Sequence, residues 1–273
     1  MADVWARGAH ASAMYRHFVA ARIRADWQYR TSFLLMASSQ FAITFLDFIG
    51  IAIVFGQVPQ LAGWSFADVA FLYGTSGMAF TLCDVFVSEV ELVSRHIRLG
   101  TFDQFLLRPV GALLQICAQE FALRRAGKLV QSTLVLGLAL AWVSVSWSIG
   151  RVVMVVVTVS SGSFIFGALI VMTACVSFWS VESNEVANSV TYGGNFASQY
   201  PLDLYGTWLR RLLVIVPIAF VSYLPSTWIL DKPDGLGLPQ CAAFISPVVA
   251  ALMTFVACVV WRAAVRHYRS TGS

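Results

Sequence analysis

Two carboxylates stand where a carboxylate is hardest to keep, because Asp47 and Asp84 each lie in a long apolar stretch. An acid at a bilayer centre costs about 2.5–3.5 kcal/mol on insertion scales, and each Leu, Ile, Phe or Val in the same helix returns roughly 0.3–0.6. Thirteen such residues across 33–55 let the stretch insert despite Asp47. An intramembrane acid is a functional candidate: Asp47 either lines a substrate path or bonds neighbouring spans. Asp84, with Glu89 and Glu91, marks the end of a span. Other chemistry is thin. Cys83, Cys117, Cys175, Cys241 and Cys258 show no metal or redox spacing, and His10, His17, His96 and His267 are scattered, so no metal site is expected. No Ser/His or His/Asp/Glu constellation suggests an enzyme. A phosphate-binding loop needs G-x-x-x-x-G-K-[ST], so that backbone amides cradle phosphate and the hydroxyl reaches magnesium. The nearest match, Gly127-Lys128-Leu129, lacks the hydroxyl and has Ala122 in place of the first glycine.

The elements that must hold these residues are membrane helices. Of 273 residues 58% are hydrophobic and 12% charged, about half the charge of a soluble domain. A helix satisfies its own backbone and shows only side chains to lipid. Six apolar stretches, about 31–56, 66–88, 129–148, 152–178, 212–230 and 241–262, are long enough or nearly so to cross ~30 Å of hydrocarbon. The expectation is an all-α polytopic membrane protein with 1–273 as one transmembrane domain. The first stretch is too long for a signal peptide and no small-residue cleavage site follows it, so it reads as a permanent span.

Basic residues orient the spans. The net charge is +4, and sixteen Arg and Lys fall in residues 1–30, the connections 89–128 and 179–211, and the C-terminal tail; the alternate connections hold Arg151 and Lys232. The positive-inside rule places both termini in the cytoplasm. No basic cluster alternates with aromatics in a polar domain, which excludes nucleic acid as a partner. Before the first span, Met14, Phe18, Ala21, Ala25 and Tyr29 recur at helical spacing among arginines, which predicts a helix on the inner membrane surface; the alternative is a basic tail. Pro217 and Pro225 predict a kink or break in the fifth span. No matched halves of the kind common in secondary transporters are visible.

The connection 89–128 is the most informative. If 97–109 is helical, Leu99, Phe102 and Leu106 share a face with Phe105 beside them, Arg98, Asp103 and Arg108 add polar sites, and Pro109 marks the end. Such a helix either docks in a partner's groove or lies on lipid.

Gly100-Thr101-Phe102-Asp103-Gln104-Phe105-Leu106-Leu107-Arg108-Pro109 resembles the signature after the second span in bacterial ABC exporter permeases of the type-2 class. Phe196-Ala197-Ser198-Gln199-Tyr200-Pro201, Ile215-Val216-Pro217-Ile218-Ala219-Phe220 and Leu224-Pro225 resemble its later blocks in the same order. The similarity covers about 15–265. It implies a non-catalytic permease in a bacterial cell membrane, working with two ABC ATPase subunits that carry ATP and Mg. A second permease, as homodimer or heterodimer, would complete the assembly. Arg98, Leu99, Gly100, Phe102, Asp103, Phe105, Leu106, Arg108 and Pro109 would form the ATPase-coupling element. Asp47, Asp84, Tyr200, Pro201, Pro217 and Pro225 are candidates for the translocation path or its structural frame. The rival is a self-sufficient proton-coupled transporter using Asp47 or Asp84.

Overall fold

The computed structural model describes residues 30–108, 110–119, 125–180 and 184–268; the expected N-terminal surface helix and Pro109 lie outside them. The described residues form helices with no strand. They are α1 (Arg30–Gln57), α2 (Phe66–Val87), α3 (Val93–Arg98), α4 (Asp103–Leu106), α5 (Ala112–Gln119), α6 (Ala126–Trp142), α7 (Ile149–Cys175), α8 (Asn184–Ser198), α9 (Thr207–Ile215), α10 (Tyr223–Ile229) and α11 (Ser246–His267). Helices within Thr31–Gln57, Phe66–Arg98, Ile149–Phe178 and Gln240–His267 are long and apolar enough to cross a bilayer. Local sequence explains their starts. Ser65 accepts from the Asp68 amide at 3.3 Å while the Asp68 carboxylate accepts from the Ser65 amide at 2.9 Å, a reciprocal cap of α2. Ser148 caps α7 by accepting from Arg151 N–H, and Pro247 sits in the first turn of α11, where its missing N–H costs nothing.

The core gathers around α2 and α7, which pack on each other and on α6 and α11 respectively. In its apolar window α2 is 78% buried, whereas α1 is 11% buried; α1 hangs on the bundle edge. It meets α6 closely at Gly127, where any Cβ would collide with the Ala37 carbonyl.

Two expectations change after residue 178. The stretch 184–205, read from sequence as part of a connection, runs the length of the bundle antiparallel to α2. Tyr192 donates to Glu91 at 3.3 Å, Ser198 bonds Ser76, and Asp203 accepts from Trp64 Nε1 at 3.0 Å: later residues meet successively earlier ones. Conversely, 212–230 is not a continuous span. Thr207–Ile215 and Ile218–Ile229 are bent by 76°, and both ends of the pair lie at the same end of the bundle, because Arg210 donates to Gly235 O at 3.0 Å and to Asp203 O at 3.1 Å. The bend falls at Pro217, which lacks an N–H to continue the helix. Pro225 breaks nothing; it is third in α10, where amides have no helical partner anyway. The tip of this hairpin reaches inward, with Ser222 Oγ donating to Ser198 O at 2.6 Å.

The bundle thus has a loop end, holding 58–65, 199–206 and 230–239, and a connector end, holding 88–108, 110–119 and the C-terminal turn of α11. Arg210 belongs to the loop end, and Arg211 with it. Moving two of the sixteen basic residues leaves fourteen against four, the same bias with a smaller margin.

Candidate functional site

The connector is not one amphipathic helix. α3 stops at Arg98, Gly100 takes the left-handed φ of +66°, and the chain turns back so that Phe102 N–H donates to His96 O at 3.2 Å before the single turn of α4. A side chain at Gly100 would be strained there. The turn sends the aromatic rings inward. Phe102 is fully buried, with ring centroids 4.8 Å from Tyr268 and 5.3 Å from Phe178; Phe178 in turn sits edge-on to Trp261 at 5.8 Å. Phe105 is buried against His96 at 5.2 Å, and its carbonyl accepts from Gln115 Nε2 at 2.9 Å. This corrects the expectation of exposed aromatics: Phe102 grips the ends of α7 and α11, and Phe105 is held between α3 and α5.

What faces outward is leucine and arginine. Leu99 is 63% exposed, Leu106 45% and Leu107 86%, with Arg98 and Arg108 exposed on either side and Asp103 half-buried. Leu107, the most exposed of these, was absent from the face drawn on a regular helix, because Gly100 resets the phase.

Asp84 and Asp47 have opposite surroundings. Asp84 is fully buried on α2. The Arg125 guanidinium pairs with its carboxylate and donates to its main-chain carbonyl at 3.2 Å, while Lys128 Nζ lies 3.7 Å away. Removing one partner of such a pair strands a buried charge, so Asp84 ties the start of α6 to α2. Asp47 is exposed on α1, within electrostatic reach of Tyr73 and Tyr200. Tyr73 donates to Thr44 O at 2.8 Å, and Gln131 reaches the same carbonyl at 3.4 Å. Tyr200 stacks obliquely on Phe196 at 5.2 Å, and Pro201 leads a tight turn over Leu202–Leu204. The structure therefore gathers Asp47 and Tyr200 on one side, sets Asp84 one helix layer away, and buries Pro217 and Pro225 in the hairpin.

Sequence reasoning missed α8. Its outward face carries Glu185, Asn188, Ser189, Tyr192 and Phe196, polar and aromatic groups in a helix that traverses an otherwise apolar bundle. The spacing of 185, 188, 189, 192 and 196 was visible as helical; low hydropathy hid it. A groove between this face and α1 is lined by Ser39, Gln40, Arg125, Lys128 and Tyr192.

At the loop end the polar groups close on one another. Asp203 accepts from Trp64 and from the Tyr223 hydroxyl at 3.0 Å each, and Tyr223 accepts from Gly235 N–H at 3.1 Å. Lys232 Nζ sits 2.9 Å from Asp68 and donates to Gly63 O at 3.0 Å. Tyr205, outside the long helices, has its hydroxyl pushed up to about 12 by burial.

A helical bundle with apolar spans, a polar traversing helix, an inward hairpin and a two-faced connector defines a multi-pass membrane protein. The family model described as ABC-2 family transporter protein matches residues 41–272, and the chain belongs to that family. It is a membrane permease component of an ABC transporter. Comparisons with curated proteins and with solved structures return no match.

Proposed function

We propose that this chain is the permease of an ATP-driven exporter, taking its power from a separate ATPase chain through the 98–108 connector. The observation that carries the reading is the connector's two faces. Phe102 locks it to the ends of α7 and α11, Phe105 packs within it on His96 and Phe102, and Leu99, Leu106 and Leu107 stand out from it. A force transmitter needs a rigid grip on the spans and a separate grip on its driver, and buried aromatics with exposed leucines supply both. ATP and Mg belong to the partner, since 122–129 lacks the loop that would cradle phosphate.

Two such permeases with two ATPases form the working unit in this reading. The outward polar face of α8 and the exposed Asp47 would be costly against lipid, which favours a second permease, identical or homologous, covering them and enclosing a path. The fourteen-to-four basic bias supports cytoplasmic termini and a cytoplasmic connector in a bacterial cell membrane. The proton-coupled rival loses weight at Asp84, whose carboxylate is held between two cations.

The test is Leu106→Ala combined with Leu107→Ala in the chain co-expressed with its ATPase. Both side chains are exposed, so insertion and thermal stability stay unchanged. Retention of the ATPase falls about tenfold, as expected when contacts worth about 1.4 kcal/mol are lost. Leu238→Ala at the loop end is the control. A double variant that keeps its ATPase and transports at the wild-type rate would sink the coupling role.

A further inference from the structure

We propose that an anionic phospholipid docks on this chain, its acyl tail in the groove between α2, α5, α7 and α11 and its phosphate on Arg262 and Arg266. The groove has a volume of about 500 Å³, and its walls include Phe86, Cys117, Phe164, Gly167 and Cys258. Along α7 it runs from Ser160 to Val171, about 16 Å at 1.5 Å per residue, which is one leaflet of a ~30 Å hydrocarbon layer.

The chemistry of the walls selects a hydrocarbon. The hydroxyls on the groove are already spent on the chain itself: Ser160 on Val156 O at 2.8 Å, Ser163 on Ala79 O and Val159 O at 2.9 Å, and Thr254 on Ala250 O at 2.8 Å. Burial pushes the Cys117 thiol up to about 12, so it stays neutral. Nothing on the walls calls for a polar occupant, and a polar one would lose its own hydrogen bonds.

The mouth selects the head. Arg262 follows Cys258 by four residues on α11, which places it over the groove's connector end, and Arg266 follows one turn later. Both are exposed, and neither has an acidic partner among the described residues. Guanidinium pairs phosphate in a bidentate fork, and a basic site beside an apolar slot at a membrane boundary suits an anionic headgroup. Gly167 leaves the slot open, because a Cβ there would meet only Cys83 Sγ at 3.6 Å and Val87 Cγ2 at 3.8 Å.

Native mass spectrometry of the full chain in mild detergent tests this by titrating phosphatidylglycerol and phosphatidylcholine with matched tails. Wild type binds the anionic lipid about thirtyfold more tightly, the scale set by two arginines at about 1 kcal/mol per basic residue near a membrane surface. Arg262→Gln with Arg266→Gln brings the two lipids level, and Gly167→Leu weakens both with the arginines intact. Equal affinities in wild type would overturn the proposal, as would a preference that survives the arginine changes or binding indifferent to Gly167→Leu. A lipid-independent dimer lost in Gly167→Leu would give the groove to a second copy and also refute it. None of these outcomes depends on transport, so failure here leaves the permease reading standing.

Discussion

The two ends of the bundle are finished in different ways. At the loop end, Trp64, Asp68, Asp203, Arg210, Tyr223, Lys232 and Gly235 are joined through hydrogen bonds and an ion pair. At the connector end the interior is aromatic, with Phe102, Phe105, Phe178, Trp261 and Tyr268 in edge or tilted contacts, and the surface above it shows leucine and arginine. Buried polar groups leave nothing to offer a partner once paired, whereas a packed apolar base can carry exposed apolar groups at its rim. One end is tied together by polar pairs, and the other sets exposed leucines on an aromatic base.

The largest effect expected is all-or-none. In a chain whose native cysteines are replaced by serine, Arg211→Cys and Asp234→Cys should react with an impermeant thiol reagent from the same side of the membrane, and Leu107→Cys only from the other. Arg211 and Asp234 labelling from opposite sides would restore 212–230 as a span and dissolve the loop end as a unit.

Phe102→Ala comes next. Truncating a fully buried phenylalanine costs about 3–5 kcal/mol, seen as a lower midpoint of thermal unfolding and as loss of the ATPase through a loosened connector. A change below 1 kcal/mol would mean that the ring is not part of the core. Smaller again is Asp203→Ala. It leaves Trp64 and Tyr223 without their acceptor, at roughly 1–3 kcal/mol for each stranded buried donor, less where water reaches them. This variant should unfold earlier yet keep its ATPase; loss of the ATPase would show the two ends to be coupled rather than separate.

The apolar stretches of α1, α2, α7 and α11 were legible from residue order, since lipid imposes a length and a composition on any helix that crosses it. So were the family resemblance and the break at Pro217. The fifth span was misread for a physical reason. α8 is polar on the face that α2 and α7 do not cover, so hydropathy passes over it, while the second arm of the 212–230 hairpin, 217–230, is apolar because it is largely buried in the protein. The connector was half legible: its place in the chain was, but its outward face was not. Helical spacing predicts a face only where the helix continues, and Gly100 turns the chain between α3 and α4.

Composition and periodicity thus determined that this chain lives in a bilayer and which segments are apolar enough to cross, because those properties belong to each segment alone. Tertiary structure decided that Phe102 points inward and Leu107 outward, that Asp84 is clamped by Arg125 and Lys128, and that Arg210 closes the loop end on Gly235. Each of these is a choice of neighbour across tens of residues. Side-chain type sets what such a contact is worth, but only packing sets whether it is made.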